Sequence, residues 1–576
     1  MKTRSGTPWP LPFLLAAVPV FAGGVALPNS PLTSQQKAEH LFNRLAFGPR
    51  PGEVEALAAG GDKAIAQWIQ DQLELKPAPD TVLQDKLAAL KSLTLSIPEL
   101  QAAYPKPEQA AKRLGLDPKE LKNPAKRAEI LARLNVKEAD VDAPQKLRDL
   151  VPAEQRPARM EEELVAAKLM RAVESPRQLE EVLCDFWFNH FNVDLGKGET
   201  RWFITNYERD AIRGHMFGKF RDLLGATAKS PAMLFYLDNW TSVKDGFNPA
   251  MERYQRQLQR NPLALPPPPD KAKNQGLNEN YARELMELHT LGVDGGYTQD
   301  DVRAVARCFT GWTLEKPQEN ARYLFRGATH DEGQKVVLHR TFNPGGGEEE
   351  GEKVMDLLCR QPACARFIAT KLCRRFVSDD PPKALVDRVA KRFMETDGDL
   401  KQVYVSLFTA PEFWARETYQ AKIKTPFEFE VSAVRALGGR VEFARPLAAN
   451  LQRLGEPLYH CQPPTGYKDI AAPWVNTGAL VTRLQFSLAL GARRIVGVPW
   501  QRADLNQALG GTQSATTDLP KAARLLLQRE LGPATLQSLE QEARAEDRRM
   551  PDGETRPMDA AKIVGLLLGS PEFQRR

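Results

Sequence analysis

Helical periodicity is the feature that most constrains the fold of this chain. Apolar residues recur at three- and four-residue spacings over most of the sequence, and this spacing is typical of amphipathic helices. Alternating patterns, which are typical of half-buried strands, are rare and short. We therefore predict a mainly α fold, a large multi-helix globular domain with long loops rich in proline and glycine.

The composition changes along the chain. Residues 83–170 are rich in Ala, Leu, Lys and Glu and almost lack aromatic side chains, whereas Trp, Phe, Asn and His become dense from Arg177 to about Trp312. Such a charged, aromatic-poor stretch is typical of peripheral amphipathic helices. We predict a single helical domain over residues 27–576, with residues 83–160 as a helical insertion.

The N-terminus resembles a secretory leader. The basic segment "MKTR" precedes the apolar segment "LPFLLAAVPVFAGGVA", which predicts a signal peptide over residues 1–26. An anchoring helix is the alternative, but Pro10, Pro12 and Pro19 interrupt the apolar run, and about 20 apolar residues are needed to span a bilayer. No later segment meets that length, so we expect a soluble, periplasmic or secreted protein with no membrane span after removal of the leader.

Charge and cysteine content narrow the class of protein. The net charge is +6 at pH 7, both signs are interspersed, and no long basic run occurs, so we predict no nucleic-acid partner. The six cysteines include Cys359 and Cys364 in "CRQPAC". These two are close enough for a local disulfide in an oxidising compartment, or they are small buried side chains. Their spacing is not a zinc signature.

The segment "NENYARELMELHTLGVDGGYTQDDV" predicts a helix, a glycine turn and the start of a second helix. At 100° per residue, Glu284 and His289 flank the apolar stripe of the first helix. A buried carboxylate without a partner is costly, so we expect Glu284 to meet a cation, a hydrogen-bond donor or a metal. Thr298 and Asp301 have the spacing of a capping box at the second helix.

Three further residues are candidates for chemistry. In "RQLEEVLCDFWFNHFNVDLGKG", His190 lies within an aromatic-rich helical stripe, where a neutral imidazole needs a hydrogen-bond partner or binds a metal or haem. In "HDEGQK", His330 and Asp331 cluster in a predicted turn. We predict catalytic roles for Glu284, His289, His330 and Asp331, and metal ligation by His190, Glu284 and His289. Each could instead be a satisfied structural residue.

The motifs together resemble a known family. The segments "HLFNRLAFGPRPGEVE", "FWFNHFNV", "PAMLFYLDN", "LNENYARELMELHTLGVDGGYTQDDVRAVARCFTGW", "HDEGQK", "FIATKLCRRFVSDDPP" and "LLGSPEFQRR" resemble the bacterial family catalogued as domain of unknown function 1800. The resemblance covers about residue 36 to the C-terminus. It implies an exported protein, often encoded beside a second exported protein of another uncharacterised family, numbered 1501. It implies no established activity.

Two function classes follow from these observations. The first is an enzyme, assisted by a divalent metal or a haem, that acts on an envelope or extracellular substrate. The second is a non-catalytic envelope protein that binds or assembles with a co-encoded exported partner, its polar core residues forming a satisfied network. The sequence has no G-x-S-x-G, H-E-x-x-H, Walker, Rossmann or C-x-x-C-H motif, so no standard catalytic class is directly indicated. The geometry of the polar residues distinguishes the two function classes. One open pocket around His190, Glu284 and His289 favours the enzyme, whereas separate partners for each residue in a dry core favour the binding protein.

Overall fold

The prediction of a mainly α fold is confirmed. In the computed structural model the chain is 59% helical and 4% strand. The structure describes residues 24–76, 80–113, 123, 151–260, 276–501, 515–547 and 560–576. The predicted leader therefore lies outside the described residues up to position 23. No helix of the described ranges has the length and apolar character needed to cross a bilayer.

The first half of the described chain contains thirteen α-helices. Their bounds are α1 Ser34–Leu45, α2 Glu53–Ala59, α3 Gly61–Leu73, α4 Thr81–Ala88, α5 Ile97–Ala103, α6 Pro107–Arg113, α7 Pro157–Glu174, α8 Gln178–His190, α9 Thr200–Asn206, α10 Phe220–Lys229, α11 Pro231–Tyr236, α12 Pro249–Arg260 and α13 Asn280–Glu284. Two of these helices continue directly into π-helices, Tyr207–Arg213 after α9 and Leu285–Thr290 after α13.

The second half contains twelve α-helices and two small hairpins. The helices are α14 Gln299–Cys308, α15 Glu349–Cys359, α16 Pro362–Phe376, α17 Lys383–Glu395, α18 Leu400–Phe408, α19 Pro426–Ala436, α20 Arg445–Arg453, α21 Thr477–Gly491, α22 Ala515–Leu526, α23 Pro533–Asp547, α24 Ala560–Gly569 and α25 Pro571–Gln574. The strands are β1 Trp312–Glu315, β2 Arg322–Phe325, β3 Lys335–Val337 and β4 Arg340–Phe342. β1 pairs with β2 and β3 pairs with β4, both antiparallel.

Local sequence explains where several helices begin. Thr298 accepts a hydrogen bond from the Asp301 amide, and the Asp301 carboxylate accepts from the Thr298 amide. This is the capping box that the sequence predicts, and it supplies acceptors for the N–H groups that the first helical turn leaves unpaired. Thr425 and Glu428 form the same arrangement at the start of α19.

One continuous core joins the helices, and it contains many charged side chains. Every residue of α19 is buried, including Glu428, Glu430 and Arg435. Buried charges are costly unless they are paired. The charged side chains of the interior helices α8, α16 and α19 are therefore expected to form ion pairs. The candidate site lies among these helices.

The described part of the segment predicted as an insertion contains α5 and α6, the end of α4 and the start of α7. In α5, Gln101 donates from its side chain to the Pro317 carbonyl at 2.7 Å. The Ser92 amide and hydroxyl both donate to Glu163 at 2.8 Å. These contacts attach the segment to the rest of the helices, and its status as an insertion stays a prediction.

Candidate functional site

His190 lies at the C-terminal end of α8, in the aromatic environment that the sequence predicts. Its ring packs against Trp187 and Phe191, with ring centroids 5.3 and 4.4 Å away. Its Nε2 donates to the carbonyl of His289 at 3.1 Å, while Nδ1 has no hydrogen-bond partner. Burial, with the charge of Lys371 nearby, holds the pKa of His190 well below its usual range, so this imidazole is neutral.

His289 lies in the π-helix and faces the same interior. Its ring centroid is 6.3 Å from that of His190, and its Nε2 has no partner. Burial lowers the pKa of His289 to about 3, with a smaller contribution from Lys371. Lys371 projects from α16, where burial lowers its pKa to about 8. Two neutral imidazoles and one weakly basic amine therefore lie together.

Glu284 makes no contact with His190, His289 or Lys371 among the hydrogen bonds and ion pairs of the described residues. Its side chain is half-buried, and burial together with the Glu287 carboxylate raises its pKa. No hydrogen bond or ion pair links it to another described residue, so the cation or donor that we expected to meet it is not there. Glu284 is the last residue of α13, and the wider π turn begins after it at Leu285. The direction of His289 relative to Glu284 therefore differs from that of a continuous α-helix.

The three predicted metal ligands are not arranged as a metal centre. Among the described residues, no group of three or more His, Cys, Asp or Glu side chains could hold a metal ion. Phe186, Phe220 and Phe367 also surround the His190 ring, with centroids 6.2–6.5 Å away. Haem binding by His190 stays a prediction.

His330 belongs to a different cluster, between the hairpin β3–β4 and α15. Its Nδ1 donates to the Thr310 carbonyl at 2.7 Å, and its Nε2 lies 3.3 Å from the Glu350 carboxylate. Lys335, also fully buried, lies 2.6 Å from Glu350. Glu350 borders an open groove of about 790 Å³. These contacts tie the hairpin to α15, and a catalytic role for His330 stays a prediction.

Asp331 is paired with a cation. Its two carboxylate oxygens accept from Nε and Nη2 of Arg307 at 2.7 and 3.1 Å. Such a bidentate pair fixes both side chains. The contacts of Asp331 and His330 include neither His190 nor His289, so the structure does not bring the four predicted catalytic residues into one constellation. Their catalytic role stays a prediction that no contact here tests.

A second site involves the loop Tyr459–Asp469, which we did not predict as functional. The carboxamide of Asn189 in α8 donates to the Tyr467 carbonyl at 2.8 Å and accepts from the Tyr467 amide at 2.7 Å. Asn192 donates to the carbonyls of Cys461 and Pro463 at 2.8 and 3.0 Å. The two asparagines of "FNHFNV" therefore hold the loop by its backbone.

The loop forms one wall of a partly open chamber of about 50 Å³. Helices α7, α8 and α16 and the start of α19 complete its lining. Its charged lining residues are Lys168, Asp185, Arg375, Glu456, Lys468 and Asp469, and its apolar or aromatic lining residues include Phe186, Phe188, Leu458, Tyr459 and Tyr467. A space of this size has room for a few water molecules or for the end of a small ligand.

Apart from the exposed Lys468, the charges of the chamber are arranged in pairs, with one exception. Lys168 lies 2.8 Å from Asp185, and Arg375 lies 2.6 Å from Glu428 just outside the lining. The exception is Glu456, which accepts from the Phe427 amide at 2.8 Å and has no cationic partner. Burial, followed by the Asp185 carboxylate, raises the pKa of Glu456 to about 8. At neutral pH the chamber therefore contains a protonated carboxyl group near an ion-paired carboxylate.

His460 lies at the edge of the same loop and is partly exposed. Its Nε2 is 2.8 Å from Glu161, and its Nδ1 is 3.8 Å from Asp194. The hydrogen bond to Glu161 raises the pKa of His460. A histidine between two carboxylates can accept and release protons near neutral pH. His460 lies between Tyr459 and Cys461 in the chain, which both line the chamber.

Sequence reasoning missed Glu456 and His460 because their partners are far away in the chain. The signal that could have found them was the pair of asparagines flanking His190, together with the loop "YHCQPPTGYKD". Asparagine side chains are suited to binding loop backbone because each carries both a donor and an acceptor. Nothing in the sequence indicates which loop they bind.

Fold and site define a class of protein: a mainly α domain whose interior helices enclose a small charged chamber walled by one long loop. The chain belongs to the family described as Protein of unknown function (DUF1800), whose model matches residues 40–575. The resemblance seen in the sequence motifs is therefore confirmed. No curated protein and no solved structure matches the chain.

Proposed function

We propose that this protein is an exported enzyme that carries out acid–base chemistry on a small polar group held in the chamber. The observation that carries the proposal is the protonated carboxyl group of Glu456 close to the ion-paired carboxylate of Asp185. Two carboxyl groups in different environments, one desolvated and one ion-paired, are suited to act as acid and base. Buried titratable groups of this kind concentrate at functional sites.

The proposed roles follow from the contacts. Glu456 donates a proton to the leaving group of the substrate, since it is neutral at pH 7. Asp185 is ion-paired with the ammonium group of Lys168, 2.8 Å away, and it orients a water molecule and accepts its proton. The chamber admits only a few heavy atoms, so the reacting group is a small substituent or chain end of an envelope or extracellular substrate. Export is supported by the basic and apolar N-terminal segments.

The proposal is tested with Glu456→Gln, which keeps the shape of the side chain and cannot donate this proton. Purified protein is incubated with cell-envelope fractions and with a panel of small esters, amides and glycosides, and products are detected by mass spectrometry. General acid catalysis contributes about 10²- to 10⁴-fold, so Glu456→Gln should lower the rate by at least about that lower bound. Glu417→Gln, at an exposed glutamate, should leave it unchanged. Turnover that is equal in wild type and Glu456→Gln would contradict the proposal.

A second candidate function is binding to a co-encoded exported partner. It is favoured by one face of α21, where Leu480, Val481, Leu484 and Leu488 are between 37% and 50% exposed. These positions lie on one side of the helix, and contiguous exposed apolar surface is typical of protein interfaces. Co-purification of the two proteins, lost in Val481→Glu and retained in wild type, would support this function. Absence of any complex at micromolar concentrations would argue against it.

A further inference from the structure

One buried arginine in the chamber has an unused hydrogen-bonding edge. Arg375 lies in α16 and is 4% exposed. Its Nη1 is 2.6 Å from Glu428, but its Nε and Nη2 have no hydrogen-bond partner. These two N–H groups form one side of the planar guanidinium, so both unused donors point in the same direction.

The nearest carboxylates do not satisfy this edge. Nη2 lies 3.6 Å from Asp185, and Nε lies 4.0 Å from Asp469. Both distances exceed those of ordinary N–H···O hydrogen bonds. Buried polar groups in proteins nearly always have partners, and an exception calls for an explanation such as a bound water or ligand.

The chamber's only unsatisfied buried side-chain atoms are these two donors. None of the other lining residues has a buried side-chain nitrogen or oxygen without a hydrogen-bond partner. A ligand that completes the site must therefore present acceptors rather than donors. The side edge of a guanidinium matches two oxygens of one carboxylate, because the two N–H bonds run parallel at the same spacing.

Charge and size restrict the ligand further. Asp185 and Asp469 flank the edge and would repel a dianion such as phosphate more strongly than a monoanion. The remaining wall contains Phe186, Phe188 and Leu458, which suit a short alkyl group. The volume of about 50 Å³ excludes a sugar ring from the chamber itself.

We propose that the chamber binds a short carboxylate through Nε and Nη2 of Arg375, with the alkyl part against Phe186, Phe188 and Leu458. The inference rests on the proposed function in that it assigns a chemical group to the same chamber. The carboxylate is either a free short-chain acid or one attached to an envelope polymer. Both sources present the same group to Arg375.

The test measures binding to the full mature chain by isothermal titration calorimetry and by ligand-observed NMR. Acetate and propionate should bind, whereas acetamide, which has the same shape and no charge, and phosphate should not. Arg375→Lys keeps the positive charge but lacks the two parallel N–H donors of the guanidinium, so acetate affinity should fall at least about tenfold. Arg366→Lys, at an exposed arginine of the same helix, should bind as wild type does.

Each outcome decides the proposal. Failure of all carboxylates to bind, preference for phosphate, or equal binding of acetate and acetamide would overturn it and leave water as the partner of Arg375. If Arg375→Lys does not fold, the ligand series on wild type still decides. Binding of a sugar that carries its carboxylate on a short alkyl ether arm, as well as propionate, assigns the carboxylate to a polymer, and binding of propionate alone assigns it to a free acid. Binding without turnover overturns only the enzymatic proposal, whereas turnover without carboxylate binding overturns only this one.

Discussion

Asn189 and Tyr467 are 278 positions apart and are joined by two hydrogen bonds, one in each direction, of 2.8 and 2.7 Å. The Asn189 carboxamide thereby makes the same kind of hydrogen-bond pair with the Tyr467 backbone that a neighbouring β-strand would make. This contact fixes the Tyr459–Asp469 loop against α8, which carries Asp185 and His190. The loop that forms one wall of the chamber is therefore attached to α8, which forms another part of the lining.

Asn189→Asp should release the loop. The carboxylate cannot donate to the Tyr467 carbonyl, which loses its partner, and an unsatisfied buried group costs about 1–3 kcal/mol. We expect faster hydrogen exchange at residues 459–469 and faster proteolysis within the loop, with the rest of the chain unchanged. Asn320→Asp serves as the control, since its side chain has no hydrogen bond to a described residue. Exchange rates equal to those of wild type would show that the loop is held by other contacts.

Glu456 should make stability depend on pH. Its folded-state pKa of about 8 lies above the value of about 4.3 for an unfolded glutamate, so between these values the folded state binds more protons. Its contribution to the free energy of unfolding is fully present below pH 4.3 and is lost as the pH rises through 8. In Glu456→Gln, denaturant unfolding should show a flatter dependence between pH 5 and 8. A variant with the same slope as wild type would mean that Glu456 titrates normally.

Lys371 should make the free energy of unfolding depend on pH in the opposite direction. Burial lowers its folded-state pKa to about 8, below the unfolded value of about 10.4, so at pH 7 folding has to keep a charge in an unfavourable site. Lys371→Met should raise the free energy of unfolding at pH 7 by roughly 1–3 kcal/mol, and this gain should shrink as the pH rises through 8 to 10. Lys383→Met, at an 82% exposed side chain, should have little effect. Loss of stability in Lys371→Met at pH 7 would mean that the amine has a partner.

Glu350 should be essential for stability. It lies 2.6 Å from Lys335 and 3.3 Å from His330, and all three side chains are buried. Glu350→Gln leaves the Lys335 ammonium group without its counter-charge, and breaking a buried pair costs about 3–5 kcal/mol. Urea unfolding should show this loss, while Glu349→Gln, at an exposed neighbour on α15, should stay within about 0.5 kcal/mol of wild type. Near-wild-type stability of Glu350→Gln would contradict the pairing.

The fold class and several local features could be predicted because they depend on neighbouring residues. The capping box of Thr298 and Asp301 and the aromatic surroundings of His190 follow from spacings of three and four residues. The direction of His289 relative to Glu284 could not be predicted, because nothing in the local sequence distinguishes the π-helix at Leu285–Thr290 from an α-helix. The separation of His330 from His190 likewise depends on tertiary packing.

The chamber was beyond sequence reasoning for a related reason. Its lining comes from residues as distant as Lys168 and Asp469, and each is an ordinary charged or aromatic residue in its own segment. Only their convergence gives Glu456 an unusual protonation state and leaves Arg375 with an unused edge. Of the six cysteines, Cys359 and Cys364 are both free thiols in the structure. Their pairing in an oxidising compartment stays open.

The protonation state of Glu456 is the central claim, and difference infrared spectroscopy tests it most directly. The carbonyl stretch of a protonated carboxyl group is resolved from that of a carboxylate and is absent from glutamine. Wild type should show a protonated-carboxyl band at pH 7 that is missing in Glu456→Gln and disappears with a midpoint near pH 8. Absence of this band at pH 7, or a midpoint near the ordinary value of about 4.3, would contradict the account of the chamber as an acid–base site.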